Sequence, residues 1–347
     1  MAIDQIDKKI LYCLCHNARL SYSVIAQNAK ISRESVKARM EKMKKDRVLL
    51  NLTTIMNSPY FGLNFYTVYL NFNRLDTTKA KQLDKFIQKH PSAIWVNRCL
   101  GRWDYALLLL AKNSMDIAEI IGGIKSKFKG LVKEIDFDEV LYEYNYTALI
   151  GEFFEGTQIG PPRVTKEGSS FYRVLDKEST NYPRDFGKAT IDKADARILE
   201  LLGENCRMSL QKMGKRLSMP IENVRYKMKR MAEKKVIATF WPAINYGMFG
   251  FQWYRIRMRT YGIDAETDAK LRRFIVNSKN IFWGTRTLGQ NDIHLDVRLR
   301  GNKELNEFLE KFNEKFPDLT IDYETIIMTE EPYYNDFAPK IHEVAKN

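Results

Sequence analysis

The chain has 347 residues, of which 44% are hydrophobic and 29% charged, and its net charge at pH 7 is +13. This length is more than one ordinary domain needs, and four cysteines do not make a disulfide framework. The sequence contains neither a secretory leader nor an apolar stretch of membrane-spanning length, so we expect a soluble, cytoplasmic protein that does not interact with membranes.

Two related copies follow each other along the chain at a constant offset of 188 residues. The matching pairs are Asp4 and Asp192, Trp95 and Trp283, Gly101 and Gly289, and Asp104 and Asp292. A register that holds without a gap from the first helix into the second half of each copy indicates duplicated structure.

The duplication predicts six segments. These are a first helix-turn-helix (1–55), a first ferredoxin-like domain (56–150), a linker (151–189), a second helix-turn-helix (190–243), a second ferredoxin-like domain (244–331) and a C-terminal tail (332–347). The linker is rich in Gly, Pro and Ser, which continue neither a helix nor a central strand. Its aromatic residues are expected to pack on the domains: Phe153, Phe154, Phe171 and Tyr172.

Positive charge is concentrated in two matching segments. Residues 1–50 carry 11 Lys and Arg against 5 Asp and Glu, and residues 190–238 carry 12 against 6. Two equivalent basic segments are suited to a polyanion with two contact sites, and nucleic acid is the first candidate. Solubility alone is the alternative explanation for such lysine-rich helices.

A first helix is predicted from Asp4 onward, because Ile10, Leu11 and Leu14 recur at helical spacing. Asp4 and Asp7 lie near its start, where the helix dipole favours acidic side chains. Ser21 then begins a short second helix that extends through Gln27.

Within the first helix, Cys13 and Cys15 lie two residues apart and next to His16. Side chains at this spacing point in divergent directions on a helix, so they would not converge on a metal ion without other ligands. We expect these residues to be structural, and no metal site is predicted.

The third helix is predicted from Ser32, with Val36, Met40 and Met43 on one buried stripe. Basic side chains lie off this stripe, and the second copy repeats the pattern with Val224, Met228 and Met231 inside. Three short helices of which the last is basic describe a helix-turn-helix, whose last helix enters the DNA major groove. A small helical bundle with an ordinary solvated face is the alternative.

Each basic segment is followed by a short predicted strand, 48–50 or 236–238, and then by a bend. The bends contain Pro59 and Gly62 in the first copy, and run from Trp241-Pro242 to Gly250 in the second. Because proline and glycine interrupt strand pairing, we expect the chain to leave the helical unit there.

The remainder of each copy alternates as strand, helix, strand, strand, helix, strand. In the first copy these are 65–72, 79–89, 93–100, 105–111, 117–128 and 132–141, and the second copy gives the same order over 251–328. This βαββαβ order predicts an α+β ferredoxin-like sandwich with one uncovered sheet face. That face would expose large apolar residues, so we expect the sheets to pair, either between the two halves or between chains.

With these motifs together, the chain resembles the Lrp/AsnC (feast/famine) transcriptional regulators in tandem duplicated form. The resemblance rests on Ser32-x-x-Ser35-Val36-x-x-Arg39 in the third helix, on Gly101-Arg102-Trp103-Asp104 between the middle strands, and on the order of elements. In the second copy Pro220 replaces the capping serine, and Gly289-Gln290-Asn291-Asp292 keeps only Gly and Asp.

The resemblance implies a sequence-specific regulator that binds double-stranded DNA through the helix-turn-helix units. It also implies self-association through the ferredoxin-like domains, and sensing of an amino acid or related metabolite. Helix geometry assigns groove-facing roles to Arg33, Lys37, Arg225 and Lys229, and phosphate contacts to Arg39, Lys42, Lys44, Lys227 and Arg230, beside Ser32 and Ser35 of the motif. Because the two sites need not be identical, the preferred DNA could be asymmetric.

The Gly-x-x-Asp pairs, Gly101 with Asp104 and Gly289 with Asp292, have two interpretations. The resemblance implies effector contacts near these turns, but Gly and Asp are also the residues that a tight turn between strands prefers. Trp95 and Trp283 are interpreted as packing anchors, because a tryptophan on a strand buries a large area.

Catalysis is the alternative class of function, since sirohaem decarboxylases resemble the same two-part unit. They tend to carry a His-x-Tyr-Asn-type stretch where this chain has Gly101-Arg102-Trp103-Asp104 and Gly289-Gln290-Asn291-Asp292. Only four histidines are present, and only His294 is near that region. We therefore predict no enzyme activity, no catalytic residues and no cofactor.

Overall fold

We describe a computed structural model of the chain over residues 3–157, 162, 187, 189–335 and 337–346, without the side chains of 332 and 333. The predicted linker residues Phe171 and Tyr172 lie outside these ranges. The described residues confirm the predicted α+β fold, in which a winged helix-turn-helix precedes a βαββαβ domain in each copy.

The two helix-turn-helix units have matching elements. The first contains α1 (Gln5–His16), α2 (Tyr22–Ala29), α3 (Arg33–Lys45) and β1 (Leu49–Met56). The second contains α6 (Lys193–Glu204), α7 (Leu210–Leu217), α8 (Ile221–Glu233) and β6 (Ile237–Ile244). Each first helix begins with a reciprocal capping box, formed by Asp4 with Asp7 and by Asp192 with Asp195.

Strands β1 and β6 pair with each other as an antiparallel two-stranded ribbon. Thr53 and Trp241 occupy equivalent positions in the two copies and pair with each other in this ribbon. On either side of them, Leu52 pairs with Pro242 and Thr54 pairs with Phe240, and these two pairs are equivalent to each other. The ribbon therefore has an approximate twofold axis at Thr53 and Trp241. It relates the two helix-turn-helix units within one chain.

The prediction that Trp241-Pro242 opens the second bend was wrong. Pro242 lies inside β6, and the chain leaves the ribbon only at the 3-10 helix Tyr246–Phe249. A two-stranded ribbon tolerates proline because each strand has one unpaired edge toward which the ring nitrogen can face. In the first copy the bend falls where predicted, at the 3-10 helix Ser58–Phe61.

The ferredoxin-like domains follow the ribbon. The first contains β2 (Asn64–Phe72), α4 (Thr77–Gln88), β3 (Ala93–Leu100), β4 (Tyr105–Ala111), α5 (Ser114–Lys127) and β5 (Val132–Tyr146). The second contains β7 (Gln252–Thr260), α9 (Ala265–Asn277), β8 (Ile281–Gly289), β9 (Ile293–Leu299), α10 (Asn302–Lys315) and β10 (Thr320–Tyr334). Strands β5 and β10 extend past the predicted ends, because their last residues pair with the other copy.

The two four-stranded sheets join into one closed eight-stranded sheet, in the order β10-β3-β4-β2-β5-β8-β9-β7. The seams are antiparallel pairs of β5 with β8 and of β10 with β3. The predicted pairing of sheets therefore occurs between the two halves of one chain. Closure satisfies the backbone edges that separate sheets would leave open.

The interior of the closed sheet is lined by apolar side chains such as Leu108 and Ile326, as expected, but it also contains buried ion pairs. Arg255, less than 1% exposed, binds Asp296 through Nε (2.9 Å to Oδ1) and an Nη (2.7 Å to Oδ2), and Arg257 pairs with Asp138 at 2.8 Å. Burial alone would raise the pKa of the Asp138 carboxyl, but the hydrogen bond from His294 and the charge of Arg257 lower it below its usual range. Paired charges of this kind are stable in an interior only as a hydrogen-bonded network.

Short segments outside these elements pack on the two copies. Phe153 and Phe154, from the segment that the sequence assigns to the linker, are buried at 5% and 6% exposure. A last helix, α11 (Ile341–Val344), precedes Lys346, whose carbonyl oxygen accepts a hydrogen bond from the backbone of Lys193 at 3.1 Å.

Candidate nucleic-acid interface

The third helix of each unit buries one narrow stripe and leaves the rest of its surface to solvent. Val36, Met40 and Met43 are at most 1% exposed, and their equivalents Val224, Met228 and Met231 at most 2%. These buried side chains confirm the predicted stripes. Because the stripes are narrow, most of the remaining side chains of α3 and α8 face outward.

The two third helices begin differently. Ser32 caps α3, since its Oγ accepts a hydrogen bond from the backbone of Ser35 at 3.1 Å and lies 2.9 Å from the Ser35 hydroxyl. Pro220 takes this place in α8 and forms no side-chain cap. The backbone N–H of Asn223, the counterpart of Ser35, donates instead to the carbonyl oxygen of Pro220 at 3.0 Å.

Arg39 and its equivalent Lys227 turn back toward the first helix of their own unit. Arg39 binds Asp4 at 2.7 Å and Asp7 at 2.8 Å. Lys227 binds Asp192 at 2.5 Å and Asp195 at 3.2 Å, and Arg230 also pairs with Asp195, whose side chain is fully buried.

These ion pairs join the third helix to the capping box of the first. Burial alone would raise the pKa of the Asp192 carboxyl, but the hydrogen bonds from Lys227 and from the backbone of Asp195 hold it below its ordinary value. The charges of Arg39, Lys227 and Arg230 are thus balanced within the protein by acids of the first helices.

The other predicted contacts on α3 remain exposed. Arg33, Lys37 and Lys42 face solvent and form no ion pair with the part of the chain that the structure describes. Lys44 is exposed as well and pairs with Glu41, one turn back, at 3.1 Å. An exposed pair of this kind contributes little and can be exchanged for a phosphate.

On α8 the predicted contacts are Arg225 and Lys229, both exposed. Arg225 pairs with Glu222 at 2.6 Å, and Lys229 approaches Glu233 at 3.8 Å. This helix also exposes Ile221 (40%) and Tyr226 (65%), at the positions of Arg33 and Ala38 in α3. The two helices therefore present different chemistry on equivalent surfaces.

Sequence reasoning missed Ile221 and Tyr226 because on α8 it considered only charged residues. The signal was present, since both are large apolar residues off the buried stripe of α8. Apolar contacts of this type can read the thymine methyl group in the major groove.

Reciprocal contacts fix the two units to each other. An Arg207 Nη group donates hydrogen bonds to the carbonyl oxygens of Ala18 and Leu20, both at 2.7 Å, and Arg19 donates to the carbonyl of Cys206. Thr54 Oγ1 donates to the carbonyl of Leu202 at 3.1 Å. The relative positions of α3 and α8 are therefore set by packing as well as by the ribbon.

The Gly-x-x-Asp turns lie at the seams of the closed sheet. Asp104 accepts a hydrogen bond from the backbone of Phe72 at 2.7 Å, and Asp292 accepts one from the equivalent Thr260 at 2.8 Å. A Cβ atom on Gly289 would lie 2.2 Å from an Asp138 oxygen, so this turn requires glycine. The four residues act here as turn residues.

A cavity of about 600 Å³ lies between the ribbon and the nearer end of the closed sheet; we call it the ribbon cavity. It is lined by four tryptophans, Trp95, Trp241, Trp253 and Trp283. Trp95 is 4% exposed and packs as predicted, whereas Trp283 also donates a hydrogen bond from Nε1 to Glu143 at 2.7 Å. Sequence reasoning missed this cavity because its lining comes from both copies.

The described ranges contain neither a metal-binding cluster nor a membrane-spanning helix. The four cysteines are buried and free, and no group of three or more His, Cys, Asp or Glu residues there could hold a metal ion. No helix in the same ranges is long and apolar enough to cross a bilayer.

Comparison with known proteins identifies both basic units. The AsnC-type helix-turn-helix domain matches residues 3–44, and a winged helix-turn-helix DNA-binding family matches residues 191–238. The proline dehydrogenase transcriptional activator of Rhodobacter capsulatus is 30% identical over 120 residues, which are 34% of this chain and 75% of the relative. An uncharacterised HTH-type transcriptional regulator of Pyrococcus abyssi is 31% identical over 126 residues, 35% of this chain and 76% of the relative.

Fold and matches together define a helix-turn-helix regulator. More narrowly, the chain belongs to the Lrp/AsnC family of DNA-binding transcriptional regulators, of which it carries two fused copies.

The whole chain is also similar in fold to a solved enzyme. The siroheme decarboxylase NirDL, in complex with an iron-uroporphyrin III analogue, aligns with a TM-score of 0.60 over 98% of this chain and 96% of its own. The sequences are 13% identical, so this likeness establishes the fold alone.

Proposed function

We propose that this chain is a cytoplasmic, non-enzymatic transcriptional regulator that places α3 and α8 in the major groove of one DNA duplex. The twofold ribbon carries the proposal, because it presents two helix-turn-helix units in opposite orientations within a single chain. Two units related in this way match two inverted half-sites. Since α3 and α8 expose different side chains, the half-sites differ in sequence.

Exposure and ion pairing separate the predicted contacts into residues proposed to bind DNA and residues that bind acids of the first helix of their own unit. Arg33 and Lys37 of α3 are proposed to face the bases, with Arg225 and Lys229 doing so from α8. Lys42 and Lys44 contact phosphates, and Ser32 and Ser35 lie at the helix start where backbone N–H groups favour a phosphate. Arg39, Lys227 and Arg230 instead join the third helix of each unit to the first helix of the same unit.

Charge reversal of Arg33 and Lys37 to Glu tests the assignment. Each base contact contributes about 1–3 kcal/mol, so we expect affinity for selected DNA to fall at least about tenfold in a low-salt mobility-shift assay. The matched control is Lys125→Glu with Lys127→Glu, which changes the net charge equally at two exposed positions on α5 of the ferredoxin-like domain.

If both double variants lose affinity to the same extent, only overall charge matters and the proposed groove contacts are incorrect. Selective loss in the α3 variant supports them. Circular dichroism of both variants verifies that the helices are retained.

Effector sensing at the Gly-x-x-Asp turns, which the family resemblance implies, gains no support from the geometry. The Asp104 and Asp292 carboxylates already accept hydrogen bonds from the neighbouring strand. We therefore do not retain Gly101, Asp104, Gly289 and Asp292 as effector ligands.

A tetrapyrrole-modifying enzyme is the second candidate, favoured by the whole-chain likeness to NirDL. The four histidines all lie in the described ranges, and none of them lines the ribbon cavity. The Nε2 atom of His294 contacts an Asp138 carboxylate oxygen at 2.9 Å. Absorbance titration with iron-uroporphyrin III separates the candidates. A stoichiometric spectral shift would favour the enzyme, whereas the regulator is expected to give none.

A further inference from the structure

We propose that the ribbon cavity binds an organic cation, a protonated or alkylated amine with an apolar body, whose ammonium group lies against Glu143. The proposal does not depend on DNA binding. Glu143 comes from β5, and residues of the ribbon also line the cavity.

Glu143 is a buried acid with one oxygen unused. The residue is 5% exposed, and its Oε1 accepts the hydrogen bond from Trp283, while Oε2 has no hydrogen-bond partner among the described residues. A buried polar atom that lacks a partner is costly, so such atoms in native proteins usually mark a ligand or a function. A cationic ligand would supply the missing donor and charge.

The walls around Glu143 suit a cation with an apolar body. Indole rings of Trp95, Trp241, Trp253 and Trp283 line the cavity together with several other aromatic side chains. The faces of such rings attract cations, and a set of them around one carboxylate is the arrangement that recognises ammonium groups. At about 600 Å³, the space is in the range of small-molecule sites.

The other charged groups in the cavity do not favour an anion. Arg298 stacks over Trp253 at 4.8 Å and Phe282 at 5.1 Å, and Glu331 and Asp296 attract its charge. Arg47 and Glu330 also line the cavity. An anion would have to compete with Glu331 for Arg298.

The protonation state of Glu143 adds a measurable consequence. Burial raises the pKa of its carboxyl to about 8, against the opposing hydrogen bond from Trp283. At pH 7 the empty cavity therefore holds mostly the neutral acid. Since a bound ammonium group favours the carboxylate, binding should release close to one proton per chain.

Isothermal titration calorimetry on the full chain tests the proposal with three indole probes that differ in charge. Tryptamine is cationic, tryptophol neutral and indole-3-acetate anionic at pH 7. We expect tryptamine to bind once per chain and at least about tenfold more tightly than the other two. Titration in two buffers of different ionisation enthalpy should show the released proton.

The variant Glu143→Gln is expected to reduce tryptamine affinity at least about tenfold and to leave tryptophol unchanged. Glu134→Gln is the matched control, because Glu134 is on the same strand but pairs with Arg102 outside the cavity. Trp241→Leu, on the ribbon, should also weaken tryptamine and serves if the Glu143 variant does not fold. Equal binding of tryptamine and tryptophol, or tryptamine binding that survives in both cavity variants, would overturn the proposal.

Discussion

Acidic side chains of this chain meet two opposite environments. Asp4 and Asp7 each lie within 3 Å of the Arg39 guanidinium, so their charge is balanced. Glu143 is buried with a hydrogen bond from Trp283 on one oxygen only. Although burial opposes it, the hydrogen bonds from the Asp7 backbone and from Arg39 lower the pKa of the Asp4 carboxyl, whereas burial raises the pKa of the Glu143 carboxyl.

Glu143 should therefore lower the stability of the empty protein at alkaline pH. Because its pKa is raised to about 8 in the folded state from an ordinary 4.5, its contribution is fully present below pH 4.5 and is lost as pH rises to about 8. Relative to Glu143→Gln, we expect the wild-type free energy of unfolding to fall by roughly 2–5 kcal/mol across this window. Urea unfolding at pH 5 and pH 9 measures it, and a pH-independent difference would contradict the raised pKa.

Sequence reasoning predicted where basic residues lie on the third helices but not which residues they bind. Periodicity predicted that Arg39, Lys227 and Arg230 lie off the buried stripe, and in the structure they do. It could not show that they bind the acids of the first helix, because those partners lie 32–38 residues away along the chain. Local spacing sets the face of a helix, but partners on another helix are set by packing.

At the scale of elements, the beginnings of α3 and α8 offer a matched comparison. Ser32 supplies a side-chain cap and Pro220 does not. Proline also restricts the unfolded chain, so replacing it changes two terms at once. Comparing Ser with Ala at each position removes that complication.

We expect Pro220→Ser to be more stable than Pro220→Ala by about 1 kcal/mol, since a serine hydroxyl can form the side-chain cap that α8 lacks. The free energy of unfolding of the wild type should exceed that of the Ser32→Ala variant by a similar amount. Thermal unfolding followed by circular dichroism gives both differences. Equal stability of the two Pro220 variants would show that the start of α8 needs no cap.

Element positions were predictable where the alternation of side chains is local. The bounds of β3 and β4 agree with their patterns. The end of β6 does not agree with its pattern, because Pro242 was interpreted as the end of the strand. A two-stranded ribbon leaves one edge of each strand free, so it can contain a proline. The pattern carries no information about how many neighbours a strand will have.

At the scale of the whole molecule, one chain has the arrangement that a symmetric dimer would otherwise supply. Its ribbon and its closed sheet both pair the first copy with the second. The twofold relation fixes opposite orientations for α3 and α8, while the different residues on them remove exact symmetry of recognition.

We therefore expect one chain to occupy one duplex with two unequal inverted half-sites. Lys37→Glu should abolish footprint protection at one half-site first, and the equivalent Arg225→Glu at the other, because each residue belongs to a single recognition helix. Hydroxyl-radical footprinting on a selected site measures this. Loss of the same half-site with both variants would contradict the arrangement.

The sequence by itself determined the duplication, the order of elements in each copy, the buried stripes and the family, because these depend on periodicity and on motifs that are local in the chain. Only the tertiary structure decided that the copies pair within one chain and close a sheet around paired charges. It also decided that three basic residues form ion pairs with acids of the first helices and that a tryptophan-lined cavity contains an acid with one unpaired oxygen. These features depend on contacts between residues that are distant in the chain, such as Trp95 and Tyr334, which pair at a seam of the closed sheet, and no local pattern records them.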